Sequence, residues 1–394
     1  MGGLLLIVFV NFVGIGALIP VLPYAVIDEA GGSETMMALL MASFAFAMFV
    51  GSPILGALSD RLGRKNVLVA STLISALGHL VFALTTDLTV MFAARILAGL
   101  AAGNIGVIQA IITDSTSPED RAKWMGKLGA FIGLGFVAGP ALGGLLSGLG
   151  GAVHTAPFLL ASALGMLGFI LAVINVKETA VITSASRQPF AERWAGFRSS
   201  GLVGFAAAGF FLNLGFAQVE ASYVLVVKDV LNFTSRDTGW IFTWIGILIV
   251  IVQGGLIGPS VKRLTDLGTA LMGSAFLVIG QFVTMLMVIT SFTFFGPTVV
   301  SIMISSTLVC LGFAFSNPTL TSAASKRARQ GQIGGSLGMV QGFGSLGQVA
   351  GLMLAGPLYQ YGGGSFTFGV GGLISMVLVG CVFGLLMTRN DKTA

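Results

Sequence analysis

The sequence predicts an all-α membrane protein, a bundle of twelve transmembrane helices in two pseudo-symmetric six-helix halves. Three observations predict it. Hydrophobic residues make up 55% of the 394-residue chain and charged residues only 9%, with a mean hydropathy of +0.96, whereas a water-soluble globule carries about 25% charged residues. Apolar runs follow one another from Leu4 to Met387, each about the 20 residues an α-helix needs to cross roughly 30 Å of hydrocarbon. Motifs of the first half also return, weakened, in the second. The alternating pattern of a membrane strand barrel is missing, so helices must satisfy the backbone inside lipid.

Charged and turn-rich stretches delimit spans at about 3–27, 36–58, 67–86, 89–113, 123–149, 154–175, 201–227, 236–258, 269–291, 296–320, 333–360 and 364–387. The first run, Leu4 to Ile27, is too long for a signal-peptide core and lacks a basic leader and a small-residue cleavage site, so it reads as span 1. With even-numbered connections assigned to the cytosol, seventeen of the twenty Lys and Arg fall inside; Lys228 and Arg236 lie outside and Arg95 within a span. The positive-inside bias then places both termini in the cytosol.

Between spans 2 and 3, "GALSDRLGRKNV" (56–67) concentrates Asp60, Arg61, Arg64 and Lys65 in six positions. Gly63 suits a tight turn that a side chain would hinder. Asp60 is placed to meet a helix N-terminus and the arginines to pair with acids on neighbouring helices. Asp60, Arg61, Gly63 and Arg64 are therefore read as a conformational latch. In span 4, Arg95 is costly to bury, about 2.5–3.5 kcal/mol near the bilayer centre, so it faces a cavity or partner or snorkels outward. In span 5, Gly135, Gly139 and Gly143 recur every four residues and form a small-residue stripe for close helix packing. Pro140 removes a hydrogen bond there and bends the helix. These four residues are read as a gating seam.

The longest polar segment, Lys177 to Ser200, divides the chain into a first bundle (1–176), a cytosolic linker (177–200) and a second bundle (201–394). "GPSVKRLTDLG" (258–268) echoes the turn after span 2, and "GSLGMVQGFGSLGQVAGLMLAGP" (335–357) echoes "GKLGAFIGLGFVAGPALGG" (126–144) of span 5. Duplicated six-helix units are the architecture of transporters that rock two bundles about a midplane site.

In span 7, Glu220 is the acidic residue well inside the membrane; Asn213, seven residues earlier, shares its face. A buried carboxyl can load and release a proton or pair with a cationic substrate. A cavity position, a fixed ion pair and exposure at the outer helix end all remain open for it. Asn11, Asn104, Gln109, Asn213, Gln218, Gln253, Asn317 and Gln341 are candidates to line a pathway, since a polar side chain facing lipid is disfavoured; others, such as Gln281 and Gln348, are as well suited to hydrogen-bond between helices. Thirty Phe and sixteen Met suit an adaptable apolar cavity.

Several classes are excluded. Cys310 and Cys381 lie in apolar runs and read as small buried hydrophobes, and His79 and His154 are too few and too separated for a metal site or a catalytic dyad. No His, Cys or Asp cluster lies at membrane depth, so no enzyme, metal or cofactor is expected. A phosphate-binding Gly-Lys-Ser/Thr loop is missing, which excludes direct use of ATP. The pI of 9.4 reflects loop topology rather than nucleic-acid binding.

"GALSDRLGRK" resembles the signature of the major facilitator superfamily, and "GFVAGPALGG" (135–144) the motif of its antiporter branch. "GIGALIPVLP" (14–23), "RILAGLAAG" (95–103) and "DSTSPEDRAKWMG" (114–126) look like the twelve-helix drug:proton antiporters; with "RQGQIGGSLG" (329–338) the motifs are most similar to tetracycline-efflux proteins. The resemblance implies a bacterial inner-membrane monomer that exports amphiphilic, drug-like small molecules by alternating access in exchange for protons, with helices 1, 4, 7 and 10 lining the cavity. It implies a proton-transfer role for Arg95, and Asp114 at the inner end of span 4 also matches. Where the resemblance has membrane aspartates in helices 1, 3 and 9, this chain has Asn11, Gly78 and Val278, while Glu220 stands where those pumps have no acid. A proton-independent facilitator or importer of organic ions, lipids or metabolites on the same fold is the alternative.

Overall fold

The computed structural model describes residues 2–149, 151–179, 197–291, 298–328 and 333–390. Among them all regular structure is helical. The expected linker is thus described only at 177–179 and 197–200, and Arg187, Arg193, Arg329 and Lys392 lie outside the described residues.

Local sequence sets the helix ends. The first helix, Gly2–Leu18, stops before Pro20, which lacks an N–H, and the chain resumes after Pro23 as a π-helical turn, Tyr24–Glu29. Ser33 caps the next helix, Glu34–Leu62, by accepting from the Met36 N–H at 3.3 Å, and Asp87 caps Leu88–Ala102 through the Val90 N–H at 3.0 Å. In "DSTSPED", Ser117 caps Pro118–Leu146 with Pro118 at the first helical position, where its missing N–H costs nothing. Span 4 is two helices, Leu88–Ala102 and Ile105–Asp114, broken at Gly103. A Cβ at Gly103 would lie 2.5 Å from the Ser52 nitrogen and one at Gly99 2.5 Å from the Phe44 oxygen, so the chain gives up helical continuity there for backbone contact with Glu34–Leu62.

Nine helical runs among the described residues are long and apolar enough to cross a membrane. Two of these hold a break. Thr265 (φ 65°, ψ 173°) interrupts the run that ends at Ile289, and Gly363 (φ 71°, ψ −179°) interrupts Ile333–Asn390. An unbroken 58-residue helix would be about 87 Å long, whereas its parts are about 40–45 Å each, one crossing apiece. Dividing both runs and adding the apolar Gly2–Leu18 gives twelve helical segments, close to the expected spans. The chain is an integral, multi-pass membrane protein.

Two compact units emerge. The first comprises Met1–Ser184 with Asn232–Gly246, the second Ala185–Leu231 with Ile247–Ala394. The N-terminal part of span 8, up to Gly246, therefore packs with the first unit, although the sequence assigns it to the second bundle. Inside the first unit, Ile7, Val8, Leu68, Val107 and Ile112 form a fully buried core. Since lipid tails are as apolar as Leu, such packing holds helices together by shape and hydrogen bonds rather than by expulsion of water. In the second unit, Gln281 donates to the Gly215 oxygen at 3.0 Å and to Ser375 at 3.1 Å, tying three spans.

Candidate functional site

The charged turn is organised by Arg64. Its Nη1 donates to Asp60 at 2.5 Å and to Ser59 at 2.7 Å, and its Nε to Asp114 at 3.2 Å. Asp114 thus joins the latch residues at one face of the first unit. Arg61 is exposed. The carboxylate on the N-terminus of Arg64–Ala83 is Glu178, which accepts the Arg64 N–H at 2.7 Å and the Lys65 N–H at 3.2 Å, while Asp60, expected in that role, is taken by the Arg64 guanidinium one turn away. Lys65 caps the opposite kind of end: its Nζ donates to the Val173 oxygen at 2.7 Å, in the last turn of Thr155–Asn175. Gly63, buried at φ 95° and ψ 145°, makes the turn, and a Cβ there would run into the Glu178 carboxyl.

The second unit repeats this device with its charges exchanged. Thr265 takes the place of Gly63, and Asp266, buried beside it, pairs with Lys326 and accepts from Ser322 at 2.9 Å.

Arg95 is buried, with 6% of its surface exposed. Its guanidinium lies over Phe44 at 4.7 Å and over Phe82 and Phe158 at 6.0 Å each. Ring faces stabilise a cation electrostatically, by about 2 kcal/mol when desolvated. Among the described residues no carboxylate pairs with it, and its Nε has no hydrogen-bond partner. The partner that the sequence led us to expect for Arg95 is thus a set of ring faces. His79 packs beside it, against Phe158.

Glu220 lies half-buried in the helix Val203–Leu231 and accepts from Gln348 Nε2 at 3.0 Å. No cation pairs with it among the described residues. Asn213, one heptad earlier, is half-buried and donates back to its own helix at Gly209. Arg95 and Glu220 belong to different units.

The span 5 helix carries two seams rather than one. A Cβ at Gly135 would lie 2.6 Å from Phe12 Cβ, one at Gly139 2.6 Å from the Val13 oxygen, and one at Gly143 would overlap the Ala17 oxygen. This stripe is therefore packed on span 1. The neighbouring face meets the Ser235–Ile251 helix: a Cβ at Gly239 would lie 2.8 Å from Gly144 Cα and 3.0 Å from the Pro140 oxygen, and one at Gly246 2.7 Å from Val137 Cα. Ser235 donates to Ser147 at 2.7 Å, and Tyr24 donates to the Phe233 oxygen at 2.6 Å. Spacing revealed the stripe, but only the fold shows that Gly144, Gly239 and Gly246 form the second contact.

The polar candidates divide. Gln218 is fully buried and donates to the Gly351 oxygen at 2.9 Å; Asn104 is buried and donates to Ser71 at 2.9 Å, so both join helices within a unit. Asn11 and Gln109 are half-buried, and Gln253, Asn317 and Gln341 are exposed from their own unit. Among the described residues no group of three or more His, Cys, Asp or Glu could hold a metal ion. The sequence also gave no sign of the Glu29–His154 pair or of the rings around Arg95, because each assembles residues from different spans.

A family model described as Major Facilitator Superfamily matches residues 4–344. Multidrug resistance protein 2 of Bacillus subtilis is 30% identical over 98% of this chain and 95% of its own length. The class C tetracycline resistance protein of Escherichia coli is 31% identical over 89% of this chain and 87% of its own. The crystal structure of the POT family transporter PepTSo superposes with a TM-score of 0.80 over all of this chain and 98% of that one, at 12% identity, a likeness of fold.

Proposed function

We propose that this chain, which belongs to the major facilitator superfamily and is a membrane transporter rather than an enzyme, exports amphiphilic, drug-like small molecules by alternating access in exchange for protons. It works as a monomer with both termini in the cytosol, in a bacterial inner membrane. The observation that carries the reading is Glu220. Its carboxyl sits at membrane depth with a neutral amide, Gln348, as its hydrogen-bonding partner. Such a group gains and loses a proton without breaking an ion pair, and can meet a cationic substrate in its charged form.

Arg95 supplies the complementary charge in the first unit. Held by ring faces and not by a carboxylate, it is free to bias the protonation of groups that enter its field or to attract an anionic part of a substrate. The Pro140–Gly144 face is a device that holds one conformation, since it depends on contacts with span 8 of the second sequence half that rocking would remake, while the Arg64–Asp60–Asp114 cluster ties together helix ends within the first bundle. The multidrug and tetracycline resistance relatives support efflux as the direction of transport.

Accumulation of a lipophilic cationic dye in bacteria lacking their own pumps tests the reading. Cells making the wild-type protein should hold less dye, a protonophore should abolish the difference, and Glu220→Gln at equal expression should accumulate dye like cells without the protein. Export by Glu220→Gln at the wild-type level would overturn the assignment, and export indifferent to the protonophore would favour a facilitator.

A further inference from the structure

Span 7 is an interior helix: 72% of its 18-residue apolar window is buried, the largest share among the described spans. One strip of it is nevertheless open. Asn213, Phe216 and Glu220 are half-buried, at the helical spacing that puts them on one face, while Leu212, Ala217 and Val219 between them are buried. A carboxyl and an amide facing lipid are disfavoured, so the strip lines a water-accessible space and not the bilayer.

Phe216 stacks on Phe313 of span 10, the helix Thr298–Arg327, with ring centroids 4.0 Å apart and planes at 23°. Both rings are half-buried, so the pair presents an apolar surface between polar groups. Span 10 crosses the membrane in the direction opposite to span 7. Asn317, one turn beyond Phe313, therefore lies on the same side of the ring pair as Asn213, and Glu220 lies on the other side. Seven residues of helix set Asn213 and Glu220 about 10 Å apart along the axis.

Polar atoms are left over on both sides of the rings. Gln348 occupies one oxygen of Glu220, and the other has no protein partner among the described residues. Asn213 donates its Nδ2 to Gly209, which leaves its Oδ1. The exposed Asn317 side chain makes no hydrogen bond among the described residues.

We propose that this strip is a substrate subsite for a cation that carries an aromatic ring. The charge meets the open oxygen of Glu220, the ring lies against the Phe216–Phe313 pair, and a hydrogen-bonding end meets Asn213 and Asn317. The subsite rests on the placement of Glu220 in the transport pathway argued above. It adds that Phe216 and Phe313 determine specificity: the carboxylate attracts any cation of equal charge, while the ring pair separates aromatic from saturated ones.

Equilibrium binding of two matched probes to the purified full chain in lipid nanodiscs tests this. The probes are benzyltributylammonium and its saturated analogue, cyclohexylmethyl-tributylammonium, with protein-free nanodiscs correcting for partition into lipid. The wild type should bind the benzyl cation about threefold or more tightly than the saturated one. Phe216→Leu and Phe313→Leu should lose that preference and keep their affinity for the saturated cation, which also reports that they are folded; Phe216→Tyr should keep the preference. A carboxamide in the para position of the benzyl ring should tighten binding to the wild type but not to Asn317→Ala. Equal binding of the two cations by the wild type, a preference retained in both leucine variants, or the same carboxamide effect in Asn317→Ala would overturn the proposal. Glu220→Gln should weaken both cations about tenfold. Unchanged binding in that variant would instead remove the placement of Glu220 on which the subsite rests, and a failure of export in cells would leave the binding preference standing.

Discussion

Replacing Gly63 by Ala perturbs the charged turn in two ways at once. The residue sits at φ 95° and ψ 145°, a region that L side chains occupy at a cost of about 1–3 kcal/mol. The added Cβ would also lie 2.8 Å from Glu178 Cδ, so the carboxylate must leave the Arg64 and Lys65 N–H groups that it caps. Losing a cap of this kind costs about 0.5–2 kcal/mol, with the lower end apt because Glu178 is exposed. Gly63→Ala is therefore expected to destabilise by about 2–4 kcal/mol, Glu178→Ala by about 1 kcal/mol, and the double variant by about 1 kcal/mol less than the sum, because the cap is already lost in Gly63→Ala. Reversible unfolding of the four proteins in mixed micelles measures this cycle. A Gly63→Ala protein within about 0.5 kcal/mol of wild type, or strictly additive losses, would refute the reasoning.

Other outcomes follow from the same geometry. In span 5, Gly139→Ala should be destabilised by about 1–3 kcal/mol, because its Cβ meets the Val13 oxygen, whereas Gly133→Ala, with nothing within 4 Å, should be neutral or gain up to about 1 kcal/mol from helix propensity; thermal unfolding in detergent separates the two. Thr265→Gly should stabilise by about 1 kcal/mol or more, since a β-branched residue is held at φ 65° and its hydroxyl accepts only a long 3.4 Å bond from Gly268; the same unfolding measurement decides it. Arg95→Lys should lose more than charge, because a guanidinium spreads over Phe44, Phe82 and Phe158 where an ammonium cannot: transport should fall severalfold in the dye assay at equal expression.

Length and hydropathy made the helical membrane architecture legible, because a span is a local property of about 20 residues. The turn at Gly63 was legible for the same reason, whereas the break at Pro20, inside what read as one span to Ile27, and the Ser117–Pro118 cap are local signals that the reading passed over. What the sequence concealed is which side chains meet. Asp60 was a sound choice for a helix N-terminus by charge, yet Glu178, 114 residues from Arg64, holds that position. The Gly135–Gly139–Gly143 stripe was visible from its spacing, but its partner, span 1, and the adjoining Pro140–Gly144 face toward span 8 depend on helix rotation that spacing does not report. The echo of the Asp60–Lys65 turn in 258–268 was visible, while the exchange of charge, with Asp266 after the turn and Lys326 as its partner, needed the fold. His154 read as an isolated residue because Glu29 lies 125 positions away.

Proton movement tests the central claim most directly. The purified protein is placed in liposomes with a trapped pH dye, a proton gradient is imposed, and a lipophilic cation that the cell assay identifies as a substrate is added to wild type and to Glu220→Gln. The account predicts substrate-triggered proton movement in the wild type that vanishes in Glu220→Gln. Substrate flux in the wild type without any proton movement would contradict it.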